Sequence, residues 1–429
     1  SNVYYLAPDA ERVVFSSDAF LLSRDYLSPV PTATTQMRSY MWEDGTLREL
    51  TPPRPLVIPG VGEFFLPEQT ALERRALAAS EDLTHGVFQS TNNLVPEDFN
   101  SVSDVYEWTP EGIRLVSRDA SGTAVTGQVP QAPGETLQTQ FRNLISRDGS
   151  RIFFQHKGVR LDEGASPSEE PETAFNVYMR EGDEVTLVSP RRCSGPAQDA
   201  LFVCASEDGG TVYVSTSQQL TDEPKHPGQA IYRYRVSSDS LKLVATRPGG
   251  VTMLDVSDDG STVVYRAISN NQAFVLRDGE TELLGRLSDA DVGQPFRLGS
   301  RRFDQRALRI TADGDVIVFA AAGEFAGADG DGPVQIYRWE AGEGVENISA
   351  AAGEPTEDAS IGAYASPELG SPRGEVLHQH RYKAMEGRIM SDDGSRVFFE
   401  TPEALVDRDV NGEIDVYEWH DDNVRLVTS

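Results

Sequence analysis

The residues best spaced to do chemistry lie near the C-terminal end, in Asp407-x-Asp409-x-Asn411-Gly412-x-x-Asp415, where side-chain oxygens alternate along a short loop. A hard cation such as calcium takes about six to eight oxygens, and alternating Asp and Asn around a glycine supply them, with the carbonyl of Glu413 as a further ligand. Glu418 falls where an EF-hand places its closing acid, but a strand rather than a helix follows, so the closing role goes to Asp415. Asp407, Asp409, Asn411, Glu413 and Asp415 are thus the metal candidates, and a structural calcium is the expected cofactor. The same residues also suit a turn in which Asp and Asn cap their own backbone.

Sparser copies exist. Asp98, Asn100 and Asp104 lack the first acid and the glycine, and Asp329 and Asp331 have Gln335 where the last acid should stand. In His378-Gln379-His380 two imidazoles could share a transition metal, but the sequence offers no third ligand, and a solvated loop is the expectation. Cys193 and Cys204 suit either a disulfide or two thiols, and with no histidine nearby they make a poor zinc site. No Gly-x-Ser-x-Gly elbow, phosphate-cradling glycine loop or dinucleotide fingerprint occurs, and neither cysteine has a partnered base. No catalytic residue is assigned.

The elements that must position these loops are short strands. Residues 386 to 429 contain four, Arg388 to Ser391, Arg396 to Glu400, Asp415 to Trp419 and Val424 to Val427, separated by turn residues. A small residue, any residue, Asp, usually Gly, and then an apolar run recur seven times, at Asp9, Asp82, Asp148, Asp208, Asp259, Asp313 and Asp393. Continuous apolar runs such as Ile152-Phe153-Phe154 mark strands buried on both faces. An aromatic follows in the third strand, at Tyr40, Tyr106, Tyr178, Tyr232, Phe274, Tyr337 and Tyr417. In four repeats it lies 24 residues beyond the Asp (82 to 106, 208 to 232, 313 to 337, 393 to 417). All four tryptophans, Trp42, Trp108, Trp339 and Trp419, occupy one position two residues further on, which predicts packing between sheets rather than a sugar-stacking platform.

One sheet with apolar residues on both faces cannot bury itself, so the units must stack on copies. The expected fold is all-β: a seven-bladed β-propeller of four-stranded antiparallel blades forming a single domain over residues 1–429, with blades near 2–52, 76–117, 142–190, 201–246, 252–288, 306–349 and 386–429. Pro67 to Ala79 has helical spacing, but repeat register places its end in a first strand. The loop after strand two and the link between blades emerge on one face. That face carries the long insertions 51–75, 118–141, 155–174, 191–200, 289–305 and 350–385, while tight Asp-Gly turns mark the other.

Lys and Arg number 38 against 68 Asp and Glu, a net charge of −30, which excludes nucleic-acid and anionic-membrane partners. No run of 18 apolar residues spans a bilayer. The chain opens directly on a strand, as a mature secreted chain or a piece of a longer one would.

The repeat resembles that of TolB-type propellers of the bacterial envelope, in which Ser-x-Asp-Gly opens a blade and an Asp-x-Asn-Gly loop precedes an Asp-Val-aromatic strand. Leu405 to Tyr417 is the fullest match, and Leu94 to Asn100 with Asp104-Val105-Tyr106 is the next; the middle repeats have lost the loop. The resemblance implies a secreted or periplasmic module. The functional expectation is a non-catalytic, monomeric propeller that binds a protein or glycan of the cell envelope on its long-loop face. A glycan lyase or hydrolase working at the channel mouth and a spacer domain are the alternatives.

Overall fold

The computed structural model describes residues 2–6, 11–17, 38–43, 45–50, 56–58, 62–64, 76–90, 93–100, 102–128, 143–162, 173–191, 197–223, 226, 228–292, 308–330, 332–350, 355–361 and 389–428. The chain divides into two compact units, Ser1–Val214 with Val236–Leu241 and His380–Glu386, and Ser215–Arg235 with Lys242–Gln379 and Gly387–Ser429. Among the described residues there is no α-helix; the regular structure is strand and one short 3₁₀ turn, Val236–Ser238.

In the first unit, strands Asn2–Leu6, Arg12–Ser17, Arg38–Glu43 and Thr46–Glu49 form an up-and-down sheet in chain order. Ala76–Ala79, Gly86–Ser90, Asp104–Thr109 and Gly112–Leu115 form a second, and Arg151–His156, Asn176–Glu181 and Glu184–Leu187 a third. The strand Ala76–Ala79 bears out repeat register over helical spacing. In the second unit, Val251–Val256, Thr262–Ala267, Gln272–Arg277 and Glu280–Arg286 pair in order, with Glu324–Phe325 added at the edge. Two further sheets there are Leu308–Ile310, Val316–Ala321, Gln335–Glu340 and Gly344–Asn347, and the three strands Arg396–Thr401, Asp415–His420 and Asn423–Leu426. Four more strands, Leu201–Ala205, Thr211–Thr216, Ala230–Arg235 and Ser240–Ala245, fall across the division between the units.

Two sheets therefore have three strands, not the expected four. The residues read as their first strands make only single bridges, Ile145 to Ile152 and Met390 to Val397. Elsewhere the first strand slips register, between Ala76 and Ala78 and between Met253 and Asp255, whereas Leu308–Ile310 pairs without a slip.

The Ser/Thr-x-Asp signature builds one hydrogen-bonded clasp six times. At Ser146 the hydroxyl donates to Asp148 Oδ1 (2.6 Å) and accepts from Arg151 N (2.9 Å), while Asp148 Oδ1 also accepts from Ser150 N (3.0 Å). Ser80 with Asp82, Ser206 with Asp208, Ser257 with Asp259, Thr311 with Asp313 and Ser391 with Asp393 repeat the hydroxyl-to-carboxylate bond at 2.8, 2.6, 2.6, 2.7 and 2.6 Å. Asp9 lies outside the described residues. The Ser146 hydroxyl, with help from Ser150, holds the Asp148 carboxyl down at about 2, and Asp313 and Asp393 are lowered in the same way.

Within each unit, clasps also touch a neighbour. Glu81 N donates to Arg147 O (2.9 Å) and Arg147 N to Glu207 O (2.6 Å) in the first unit, and Asp259 N donates to Ala312 O (3.1 Å) in the second. The turn glycine makes the approach possible. At Gly394 φ is +68°, and a Cβ would stand 2.6 Å from Val316 Cβ.

Between the turns, strand two and strand three pair their aromatics. Phe88 stacks on Tyr106 (5.5 Å), Phe154 on Tyr178 (5.8 Å), Tyr265 on Phe274 (5.2 Å), Phe319 on Tyr337 (5.4 Å) and Phe399 on Tyr417 (5.9 Å). Each pair contributes about 0.5–1.5 kcal/mol beyond its area burial. Trp108, Trp339 and Trp419 pack into the apolar clusters, as expected, but Trp42 is 40% exposed. Arg180 takes the tryptophan position in the third repeat and donates to the carbonyls of Val116 (2.7 Å), Asp183 (2.9 Å) and Arg118, so a buried cation replaces an indole there.

Gly394→Ala should lose about 1–2 kcal/mol to left-handed backbone strain and about 1–3 kcal/mol to overpacking against Val316. Gly279→Ala, at φ +85° with nothing within 4 Å, should show the strain alone; urea denaturation of both variants checks the difference. The depressed Asp carboxyls contribute stability that is present above their unfolded value near 3.8 and lost as pH falls through the folded value, about 2 for Asp148. Acid titration of the melting temperature should therefore show a loss below pH 4 that is shallower in Asp148→Asn.

Candidate functional site

The tyrosine that ends each stacked pair reaches with its hydroxyl into the loop between strands two and three. In the second repeat Tyr106 Oη donates to Asp98 Oδ2 and accepts from Leu94 N (3.4 Å). In the last, Tyr417 Oη donates to Asp409 Oδ2 and accepts from Leu405 N (3.3 Å). In the fourth, Tyr232 Oη accepts from Leu220 N (3.3 Å) and faces His226 Nε2 at 2.9 Å. His226 Nδ1 lies 2.5 Å from Gly228 O, so Nδ1 carries the proton and Nε2 accepts from the tyrosine. Burial, and then Asp409, push the Tyr417 phenol up to about 12. Tyr106 is raised by burial and then by Asp98.

A second device closes the same loop. The first residue of strand three takes a hydroxyl from the second residue after strand four: Ser117 Oγ donates to Asp104 Oδ1 (2.7 Å), and Ser349 Oγ to Gln335 Oε1 (2.9 Å). Ser189 Oγ donates to Asn176 Oδ1 at 3.4 Å, and Thr428 Oγ1 to Asp415 Oδ1. The same hydroxyl accepts the next strand-three amide, from Val105 (3.0 Å), Val177 (2.9 Å), Ile336 (2.8 Å) and Val416 (2.9 Å). Sequence reasoning passed over this motif, although Leu-Val-Ser at 115–117 and 187–189 and Leu-Val-Thr at 426–428 spell it out.

Within the last loop, Asn411 Nδ2 donates to Asp415 Oδ2 (2.8 Å) and Glu413 N to Asn411 Oδ1 (2.8 Å), which is the self-capped turn geometry. Asp409 and Asp415 are buried, whereas Asp407 and Glu413 stand at the surface. Asp409 Oδ1 is buried and makes no hydrogen bond. The second-repeat loop is built alike. There Asn100 N donates to Asp98 Oδ1 (3.3 Å) and Val102 N to Asn100 Oδ1 (3.0 Å). The Asn100 side-chain amide is hydrogen-bonded to Asp104. Burial raises the Asp104 carboxyl to about 7, against the opposing Ser117 hydroxyl. Among the described residues, no group of three or more His, Cys, Asp or Glu side chains is gathered closely enough to hold a metal ion. Cys193, Asp331, His378 and His380 lie outside the described residues.

A cavity of about 560 Å³ opens in the second unit, on the side where strand two leaves its sheet and strand four leads onward. Its walls are residues 286–290 and 322–324, with Asp329, Gly330, Gly332, Val334 and Asp358. Asp291, fully buried, fixes two walls: its Oδ1 accepts from Ala322 N (2.9 Å) and its Oδ2 from Ser288 N (3.0 Å) and Ser288 Oγ (2.8 Å). Gly323 and Gly285 let the walls meet, since a Cβ would stand 2.1 Å from Arg286 O at the first and 2.4 Å from Glu324 O at the second. Asp358 Oδ1 accepts from Val334 N (2.7 Å), and Arg286 Nη1 donates to Glu324 Oε1 (3.4 Å). Among the described residues the lining carries four carboxylates, Asp289, Glu324, Asp329 and Asp358, one guanidinium, that of Arg286, and no aromatic ring.

The chain is similar to several solved structures. They include dipeptidyl peptidase 4 of Porphyromonas gingivalis, at 10% identity over 99% of this chain and 52% of the peptidase, TM-score 0.48. TolB of Acinetobacter baumannii shares 12% identity over 81% of this chain and 69% of its own, TM-score 0.27. The β-propeller domain of the trilobed protease of Pyrococcus furiosus shares 10% over 80% and 81%, TM-score 0.33. TolB and other β-propeller proteins are thus among its structural neighbours, and the chain spans about half the length of the peptidase. No protein-family model matches the chain, and no curated protein matches it.

Tyr106→Phe should strand Asp98 Oδ2 in the interior, at a cost of about 1–3 kcal/mol. Guanidinium denaturation checks this, with Tyr265→Phe, whose hydroxyl holds no carboxylate, as the variant that should lose much less.

Proposed function

We propose that this chain is a seven-bladed, TolB-type β-propeller acting as a non-catalytic, extracytoplasmic binding module. The up-and-down sheets in both units, the clasps joining neighbouring turns and the aromatic layers between sheets support the propeller reading. Among the described residues no helix is long and apolar enough to cross a membrane, which is compatible with an extracytoplasmic site of action. The proposal includes a structural calcium in the last loop, where the buried, undonated Asp409 Oδ1 is the acceptor that a cation would take.

The cavity in the second unit carries the binding reading. It lies on the loop side, where the insertions concentrate, and its walls are pinned rather than loose. Among the described lining residues, four carboxylates against one guanidinium, with no ring for a sugar to stack on, favour a protein segment bearing basic side chains over a glycan.

Titration calorimetry with basic, neutral and acidic peptides and with envelope oligosaccharides tests it. Basic peptides should bind most tightly, with affinity falling as salt rises. Replacing Glu324 and Asp329 together by Gln and Asn should cost about 1–2 kcal/mol, roughly tenfold in Kd. Oligosaccharide binding without peptide binding would overturn the choice of ligand, and no binding of either would favour the spacer reading.

A further inference from the structure

The loops of the second and last repeats fold their asparagine in the same way, and the residue that follows it separates them chemically. Asn411 Oδ1 accepts from Glu413 N (2.8 Å) and Asn100 Oδ1 from Val102 N (3.0 Å). Such a cap closes a ring of atoms that contains the intervening peptide nitrogen, so the carboxamide lies folded toward that nitrogen. The amide half is held as well: Asn411 Nδ2 donates to Asp415 Oδ2 (2.8 Å), and the Asn100 amide bonds to Asp104. The intervening residue is Gly412 in the last loop and Ser101 in the second. Asn411-Gly412 is the only Asn-Gly pair in the chain; every other asparagine precedes a residue with a side chain.

A peptide nitrogen beside an asparagine carboxamide is a nucleophile next to an electrophile, and the last loop favours their reaction. Glu413 N already donates to the oxygen on which negative charge would develop, as a fixed donor does for an oxyanion. Gly412 has no side chain to shield its nitrogen, and at φ +69° nothing lies within 4 Å of where a Cβ would stand. Asn411 and Gly412 are both exposed, within reach of hydroxide and water. We propose that Asn411 is a modification site at which the folded chain loses ammonia. Hydroxide takes the Gly412 amide proton, and the nitrogen attacks Asn411 Cγ to form the Cγ–N bond of a cyclic imide. The Cγ–Nδ2 bond breaks, and Nδ2 leaves as ammonia with a proton from water. Water then opens the imide, at one carbonyl to aspartate and at the other to isoaspartate, with no change of oxidation state. Either product removes the amide that donated to Asp415 Oδ2 and adds a like charge to the loop. The last loop thus becomes more acidic and less tightly closed as the chain ages. The site stands independently of the peptide-binding reading and of calcium in this loop.

The test is incubation of the intact, folded chain in chelator at neutral and at mildly alkaline pH, followed by peptide mass mapping and isoaspartate-specific methylation. Chelation keeps the outcome separate from the calcium reading. The peptide containing Asn411 should show the mass gain of an amide-to-acid exchange and accumulate isoaspartate, at a rate that rises in proportion to hydroxide. The peptide containing Asn100, capped alike but followed by Ser101, should lag far behind. Asn411→Asp, which is one of the products, should melt below the parent in the same buffer. An Asn411 peptide that stays unconverted in the folded chain, whether or not it converts in urea, would overturn the site, as would conversion of Asn100 at the same rate. Conversion without isoaspartate would overturn the imide route, and Asn411→Asp melting with the parent would overturn the loosening of the loop.

Discussion

The rest of the structure depends on one short hydrogen bond, from a Ser or Thr hydroxyl to the carboxylate two residues on. Without it the hairpin between strands one and two would have a free carboxylate and an amide with no acceptor. With it, one hydroxyl and one carboxylate oxygen satisfy the turn, and the turn presents a bare carbonyl to its neighbour. Where these turns meet within a unit, neighbouring sheets are registered at one end. The stacked Phe and Tyr pairs and the Trp or Arg that follows them fill the space between sheets. A single sheet of this kind buries neither face, so stability is a property of the stack.

Fixing one end leaves the other available. At the clasp end the turns are short, and their glycines are held within contact distance of the neighbouring turn. At the opposite end strand two runs into loops that are organised from within, by the tyrosine hydroxyl and by the Ser or Thr after strand four. These loops are where the repeats differ from one another. Asp98 and Asp409 answer the tyrosine in two repeats and His226 in a third, while Asn176 and Gln335 replace the acids Asp104 and Asp415. The exchange of an acid for an amide at one geometric position changes the charge of the loop while the same hydroxyl still closes it.

Much of the fold was legible in the sequence, because the signature Asp, the apolar run and the aromatic recur at fixed spacing and each has a local physical job. Strand two and strand three fall where the repeat put them, and the clasp uses the residues that define the repeat. The first strands were less legible: nothing in Ile389 to Ser391 announces that Met390 makes a single bridge to Val397 rather than part of a ladder. The candidate site was legible in part. The Asp and Asn loops stood out by composition. How each carboxylate is turned did not, since Ser117, thirteen residues on, takes one oxygen of Asp104. The acidic cavity was not legible at all, since Arg286, Glu324, Asp329 and Asp358 come from three separate segments that meet only when Asp291 ties Ser288 to Ala322.

The central claim, that repeated clasps rigidify one end while the loops at the other are held separately, is tested most directly by amide hydrogen exchange on the intact chain. The amides that donate to the clasp hydroxyls, those of His85, Arg151, Thr211, Thr262, Val316 and Arg396, should exchange together and among the slowest, more slowly than the loop amides of Val102 and Glu413. Clasp amides that exchange as fast as those loops, or at six unrelated rates, would contradict the account.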